Sequence, residues 1–342
     1  MFNQLIQWSN KNYSYLPWRA KRSAYNTLVS EIMLQQTTVS TVQNHFSRFI
    51  SKYPTIQALA KISEDDILRD WKGLGYYRRA RNLLRAAKTI TTEFEGNIPR
   101  DFDLLKSIHG IGDYTANALL GIGLNQRAIA LDANLERVLS RFYGIKEYKG
   151  PKLQQEIYRR FTKNEICNEI DTVGGRAYNE ALMDLGRSVC KARSASCEIC
   201  ALNIECVALN EGNALGYPLM KEVVSQKQFD LKLLRVLVET EKSILVYKKS
   251  AKEWLSGQYE LPTFVLSSEE ENFKQYPHVK YDEFYLLPSF RTAITKYKIE
   301  NYVIIMSEKE FKVFKDKPYE SLSLEGVNMS TACEKTIAKL EE

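Results

Sequence analysis

The sequence predicts a mainly α protein in two parts, a helical unit over 1–215 followed by an α+β unit over 230–342, with 216–229 as the linker. Three observations carry this. At roughly 150 residues per domain, 342 residues allow about two domains, each able to bury a core. From Tyr25 to about Leu209 apolar residues recur at helical spacing: Leu28, Ile32, Val39, Val42, Phe46 and Phe49 form one series, and Leu83, Leu84, Ala87 and Ile90 another. After Tyr217-Pro218 the pattern changes to short β-branched or aromatic runs, 233–238, 243–247 and 301–306, which read as strands. Breaks at Lys52-Tyr53-Pro54, Gly96-Asn97-Ile98-Pro99, Gly144 and Gly150-Pro151 divide the first unit into helices with brief loops.

Composition narrows the class. With 44% hydrophobic and 26% charged residues the chain is an ordinary globular one, neither disordered nor collagen-like. No apolar run approaches the ~20 residues of a membrane span, and the N-terminus lacks a secretory pattern, so no membrane partner is expected and the protein is read as intracellular. Residues 1–215 hold 29 Lys/Arg against 22 Asp/Glu, whereas 216–342 hold 19 against 20. The first unit also contains 17 of the 19 arginines. Arginine grips phosphate in a bidentate fork, so the skew points to a nucleic-acid surface there, although a mildly basic solvated face would look the same.

Four of the six cysteines, Cys190, Cys197, Cys200 and Cys206, fall within 17 residues. Disulfides are not expected in an intracellular chain, and the polar segment 191–196 is a poor place to bury thiols by chance. Four thiolates this close can enclose one metal centre, zinc or an iron–sulfur cluster, and ligand type does not decide between them. Cys167 and Cys333 stand apart and read as ordinary thiols.

The stretch from Ser107 to Ala116 reads as a helix end, a tight turn at Gly110 and Gly112, and a new helix whose free N–H groups suit a phosphate oxygen. In an arginine-rich unit this favours a helix-hairpin-helix over about 103–123 that holds a DNA backbone without reading sequence. Two carboxyl groups stand in unlike settings. Glu31 lies among apolar helix neighbours, which disfavour its anion and suit a general acid. Asp132 opens a helix after the run Ala128-Ile129-Ala130-Leu131, where the dipole favours its anion. One protonated and one ionised carboxyl is a pairing that breaks glycosidic bonds.

Taken in order, Leu16-Pro17-Trp18-Arg19, Ser30-Glu31-Ile32-Met33-Leu34-Gln35-Gln36-Thr37, Gly73-Leu74-Gly75-Tyr76-Tyr77, the Gly110/Gly112 turn, Leu131-Asp132-Ala133-Asn134, the segment Tyr178 to Gly186 and the four cysteines resemble the adenine DNA glycosylases (MutY-like) of the endonuclease III superfamily. The resemblance covers about 1–210. It implies a two-lobed endonuclease III-like fold, and a [4Fe–4S] cluster on Cys190, Cys197, Cys200 and Cys206. It also implies hydrolytic removal of adenine mispaired with 8-oxoguanine or guanine in double-stranded DNA, with the target nucleotide flipped into a pocket. By the same resemblance Glu31 protonates the adenine ring and Asp132 stabilises the sugar cation. Asn134 accompanies Asp132. Trp18, Arg19, Leu34, Val39 and Glu180 line the base pocket, and Gln36 and Tyr76 enter the base stack. Bifunctional relatives carry a lysine at the position of Tyr114, and a phenol cannot form their Schiff base, so little or no strand cleavage is expected. The family's Asp-Gly-Asn is Asp132-Ala133-Asn134 here.

The second unit resembles the Nudix-like recognition domain of the same family through the segment Trp254 to Pro262, without an acidic box to hold magnesium. The nearest equivalent of that family's Phe-Ser-His lesion-reading loop is Ile294-Thr295-Lys296, with Thr295 keeping a hydroxyl; Phe290-Arg291-Thr292 is the other placement. The resemblance further implies a monomer working on DNA in the cytoplasm of a bacterium, or in the nucleus or an organelle of a eukaryote. Rival readings are a thymine or uracil mismatch glycosylase of the same superfamily and a non-catalytic iron–sulfur DNA-binding protein.

Overall fold

A computed structural model describes residues 2–221, 227–240, 243–280, 290–311, 317–323 and 327–339. The chain divides into two units, Met1–Glu222 and Val223–Glu342. No helix among the described residues is long and apolar enough to cross a membrane.

The first unit is built of helices: α1 (Phe2–Tyr13), α2 (Pro17–Ala20), α3 (Ala24–Leu34), α4 (Val39–Lys52), α5 (Ile56–Ala60), α6 (Glu64–Asp70) and α7 (Arg78–Glu93). Then follow α8 (Phe102–Ser107), α9 (Asp113–Ala118), α10 (Ala133–Phe142), α11 (Pro151–Thr162), α12 (Glu165–Val173), α13 (Gly175–Ser188) and α14 (Val207–Asn210). Short polar side chains start many of them. Ser23, Thr38, Thr55, Ser63 and Asp101 each accept a main-chain N–H of the first turn, and Ser63 with Asp66 closes a reciprocal capping box.

Two cores make two lobes. One gathers Leu28, Ile32, Val42, Phe46, Trp71 and Leu83 from α3 to α7; the other gathers Leu135, Leu139, Ile157 and Leu182 from α10 to α13 together with Phe2 and Leu5 of α1. Phe2 stacks on Tyr178 with centroids 5.2 Å apart, so the first helix of the chain belongs to the second lobe. Trp71 is wholly buried, a burial that stabilises by roughly 2–3 kcal/mol.

The single apolar series from Leu28 to Phe49 is in fact two helices. α3 ends at Leu34, Gln36 takes a left-handed φ of 56°, and Thr38 caps α4, so the periodicity survives a turn that redirects the chain. The first unit also runs past 215. Tyr217 is buried, its carbonyl accepts Arg141 Nε at 3.0 Å, and Leu219 exchanges main-chain bonds with Glu147 and Lys149.

The segment that leads into Asp132 is latched by one residue. Asn179, fully buried, accepts Ala130 N at 2.7 Å and donates to the carbonyls of Ala128 and Gly175 at 2.8 and 2.7 Å. The close approach needs glycine at 175, where a Cβ would fall 2.0 Å from the Gln126 carbonyl oxygen.

In the second unit β1 (Phe229–Thr240) is central. It runs parallel to β6 (Tyr297–Ser307) in register from Phe229↔Tyr297 to Glu239↔Ser307, and antiparallel to β2 (Ser243–Lys248) and β4 (Thr263–Ser268). β3 (Tyr259–Glu260) and β7 (Glu320–Leu322) flank β2, and β5 (Phe290–Ile294) pairs with β6. Helices α15 (Glu308–Phe311) and α16 (Thr331–Ala338) complete the described elements. Six consecutive buried residues from Leu233 to Val238 fit a strand covered on both faces.

Gly175→Ala is expected to lower the denaturant midpoint, with a loss of about 1–3 kcal/mol from forcing a methyl against fixed backbone. Equilibrium unfolding of the two proteins checks this.

Candidate active site

Glu31 sits in the third turn of α3, 7% exposed. Its Oε2 accepts a short hydrogen bond from the Tyr114 hydroxyl of α9. Burial pushes its carboxyl up to about 7, helped by the charges of Asp132 and Glu180 and opposed by the Tyr114 bond and by Arg19. Tyr114 is itself held far above its ordinary value by burial and by Glu31, and so stays a neutral donor. This pairing leaves Oε1 of Glu31 free to carry a proton.

Asp132 is the N-cap of α10. Its Oδ1 accepts Asn134 N at 2.9 Å and Leu135 N at 2.8 Å, and its Oδ2 accepts Asn134 Nδ2 at 2.7 Å. A helix cap by itself predicts an acid kept low. Instead burial outweighs these bonds and the pull of Arg137, and the carboxyl lies above the ordinary aspartate value. Ala133 opens the helix as its first residue, so the position does not require glycine. Asn134 is fixed in turn by Arg137, whose Nη2 reaches Asn134 Oδ1 at 2.8 Å and Gly186 O at 2.6 Å.

A cavity of about 980 Å³ gathers these groups with Trp18, Arg19, Leu34, Gln36, Val39 and Glu180. Its polar wall is built on one carboxylate that sequence reasoning left out. Asp184, one turn beyond Glu180 on α13, accepts Ser9 Oγ at 2.6 Å, Arg19 Nη1 at 2.9 Å and Arg187 Nη2 at 2.9 Å. Arg19 is thereby held with its Nε 3.6 Å from Glu180 Oε1, and Arg22 bonds the same oxygen at 2.5 Å. The i, i+4 spacing of Glu180 and Asp184 was the available signal. Among the described residues that line this cavity none is a lysine.

The remaining candidates lie outside the cavity. Tyr76 is 62% exposed at a left-handed φ of 47°. Gly110 has a φ of 90°, and a Cβ there would lie 2.7 Å from Asn82 Cβ, so glycine is required. Gly112 differs from the expectation: its backbone is extended and its surroundings open, so it needs no glycine conformation and leaves room beside the start of α9. Thr295 lies in the second unit, exposed in the two-residue turn between β5 and β6 at a φ of 50°, a strained setting for a β-branched residue. Lys296 turns back to Glu270 at 2.5 Å and to the Phe229 ring. The other placement, Phe290-Arg291-Thr292, falls inside β5, where Arg291 pairs with Glu300 at 2.8 Å.

Cys190, Cys197, Cys200 and Cys206 line one small cavity with Arg141. Arg141, buried on α10, donates from Nη1 to Cys190 Sγ at 3.2 Å, and main-chain N–H groups of Leu202 and of Leu209 and Ala208 face the Cys200 and Cys206 sulfurs. Burial pushes the Cys200 thiol up to about 11. Donors aimed at sulfur suit thiolates held by a metal centre rather than free thiols. Among the described residues, no three His, Cys, Asp or Glu side chains form a group able to hold a single metal ion.

Helical lobes around a cleft with a buried acid, a capping aspartate and a glycine hairpin define the base-excision glycosylase class, and residues 29–163 match the HhH-GPD superfamily of base excision DNA repair proteins. The chain is 35% identical over 269 residues to the adenine DNA glycosylase of Buchnera aphidicola subsp. Schizaphis graminum, covering 77% of this chain and 75% of that protein. It is 32% identical to the adenine DNA glycosylase of Arabidopsis thaliana, covering 78% of this chain and 48% of the plant protein. Among solved structures, a thermostable thymine-DNA glycosylase aligns with a TM-score of 0.52 at 26% identity, over 61% of this chain and 95% of its own. The chain belongs to the adenine DNA glycosylase family.

A carboxyl raised from the ordinary 4.5 to about 7 holds a proton in the folded state that the unfolded chain releases, so Glu31 makes stability fall as pH rises through that window. Glu31→Gln is therefore expected to raise the melting temperature well above pH 7 and to change it little near pH 4, with a gain on the order of 3 kcal/mol at most. Thermal melts of both proteins across pH check this, and a pH-independent difference would contradict it.

Proposed function

We propose that the protein excises adenine mispaired with 8-oxoguanine or with guanine from double-stranded DNA, by hydrolysis and without cutting the strand. The observation that carries this reading is the buried, proton-bearing Glu31 bonded to Tyr114 in the same cavity as the anchored Asp132. The cavity is of a size to take a nucleotide turned out of the duplex. There Glu31 delivers its proton from Oε1 to the adenine ring nitrogen N7, so the base leaves neutral. Asp132, held by the N–H groups of Asn134 and Leu135, faces the positive charge that builds on the sugar until water attacks. Arg19 and Glu180, steadied by Asp184 and Arg22, supply fixed polar partners for the base edge. A lyase step needs an amine, and Tyr114 and the other described lining residues include no lysine.

The start of α9 after Gly110 and Gly112 supports a hold on a DNA phosphate, and exposed Gln36 at the cavity wall and Tyr76 outside it support entry into the stack beside the mismatch. The donor set around Cys190, Cys197, Cys200 and Cys206 fits a [4Fe–4S] cluster, which those four thiolates would hold and which would cross-link the 190–206 loop. The second unit acts as a Nudix-like recognition domain for 8-oxoguanine, with Thr295 as the contact. In support, Glu260 of its signature segment is taken up by internal ion pairs with Lys249 at 2.7 Å and Arg235 at 2.8 Å, which hold its acid down at about 2 despite burial. The protein works as a monomer wherever its chromosomal DNA resides.

Duplexes carrying adenine opposite 8-oxoguanine, adenine opposite guanine, thymine opposite guanine and uracil opposite guanine test this, with strand breaks scored with and without alkali. Strand breaks at the adenine that appear only after alkali are expected, since hydrolysis leaves an intact abasic strand; breaks at thymine or uracil without breaks at adenine would replace the reading by that of a pyrimidine mismatch glycosylase. Glu31→Gln should abolish excision and keep mismatch binding, whereas loss of both would mark Glu31 as structural.

A further inference from the structure

Arg79 is the second residue of α7, where a cation opposes the helix dipole, and it is only 8% exposed. Its own helix therefore does not account for it. Its guanidinium spans two separate turns of the chain. Nη1 donates to Ile32 O at 3.0 Å, Met33 O at 2.7 Å and Gln35 O, carbonyls at the end of α3 that have no partner within the helix. Nη2 donates to Leu74 O at 2.8 Å and Gly75 O at 3.1 Å, on the loop before α7. The Thr37 hydroxyl, 2.9 Å from Nη2, sits between the two turns and reaches Leu74 O at 3.3 Å.

Each of these turns ends in a side chain exposed to solvent on a left-handed backbone: Gln36 at φ 56° follows Gln35, and Tyr76 at φ 47° follows Gly75. Neither is a glycine, so each conformation is held against its intrinsic preference by its surroundings. The Cζ of Arg79 also lies over the Tyr76 ring, 5.6 Å from its centroid. One planar fork with several donors in fixed geometry can tie both turns at once, which a lysine ammonium on a flexible stem cannot do.

We propose that Arg79 is a positioning residue that sets the spacing and direction of Gln36 and Tyr76 and so governs how efficiently the target base is forced out of the duplex. The proposal rests on the reading of those two side chains as the groups that enter the base stack. Arg79 itself is not among the residues that line the cavity of Glu31 and Asp132, and its effect is confined to opening the duplex.

The test compares full-length wild type with Arg79→Lys on two substrates: an intact duplex with adenine opposite 8-oxoguanine, and the same strand with the adenine in a bubble of unpaired flanking bases. Single-turnover excision by Arg79→Lys is expected to fall about 100-fold on the intact duplex and much less on the bubble, since only the first substrate must be opened. Equal losses on both substrates, or no loss on the intact duplex, would overturn the proposal. Thr37→Val, which removes the hydroxyl between the turns, should give the same selective loss in weaker form and serves if Arg79→Lys does not fold. A 2-aminopurine beside the target base reports unstacking without any chemistry. Its fluorescence rise on binding should shrink in both variants, and an undiminished rise would also overturn the proposal. Wild type that unstacks the probe but releases no adenine would instead remove the functional reading.

Discussion

A carboxyl taken out of water is the constraint around which the first unit is arranged. Glu31 lies within an α3 whose residues from Tyr25 to Met33 are all buried, so its anion is costly and its proton is kept to about neutral pH. The arrangement holds only if the surrounding polar groups are themselves fixed. Tyr114 is fixed by the helix that follows the Gly110 turn, Arg19 by Asp184, and Asp184 by Ser9 of the first helix. The placement of α1 on the second lobe thus bears directly on the acid in the first. A proton-bearing carboxyl of this kind is made by the packing of both lobes rather than by its own sequence neighbours.

The second carboxyl depends on α10 in a different way. Asp132 is bound by main-chain N–H groups, an environment that cannot rearrange without unwinding the helix. The same helix carries Arg137, which joins Asn134 to the carbonyls of Gly186 and Cys190, and Arg141, which meets the Cys190 sulfur. One element therefore bears both the capping carboxyl and the anchor of the cysteine loop. Glu31 and Asp132 are both raised by burial, and they differ in what each is bonded to, a single phenol against several N–H donors.

Much of this was legible in the residues, and what was not has physical reasons. The cap at Asp132, the glycine at 110 and the gathering of four thiols follow from local chemistry that acts within a few positions. The strands of the second unit were visible because their apolar runs are short and bounded by turns. The break between α3 and α4 was hidden because the apolar period continues across it, and the turn is held by Arg79 from 42 to 47 positions away. Asp184 was missed because its partners Ser9 and Arg19 are 175 and 165 positions distant. The direction of the Asp132 shift was misread because a cap signals hydrogen bonds, whereas the burial that opposes them is a property of the folded cavity. Gly112 was overread because a glycine pair suggests two special conformations where the backbone needs one.

The fold keeps Glu31 protonated near neutrality. Carbon-13 NMR of the glutamate side-chain carboxyls, with the Glu31 resonance assigned by its loss in Glu31→Gln, measures this in the free protein without any substrate. A titration midpoint close to 7 is the predicted result. A midpoint near the ordinary 4.5 would mean that the site holds an anion at neutral pH, and the assignment of Glu31 as the proton donor would fall.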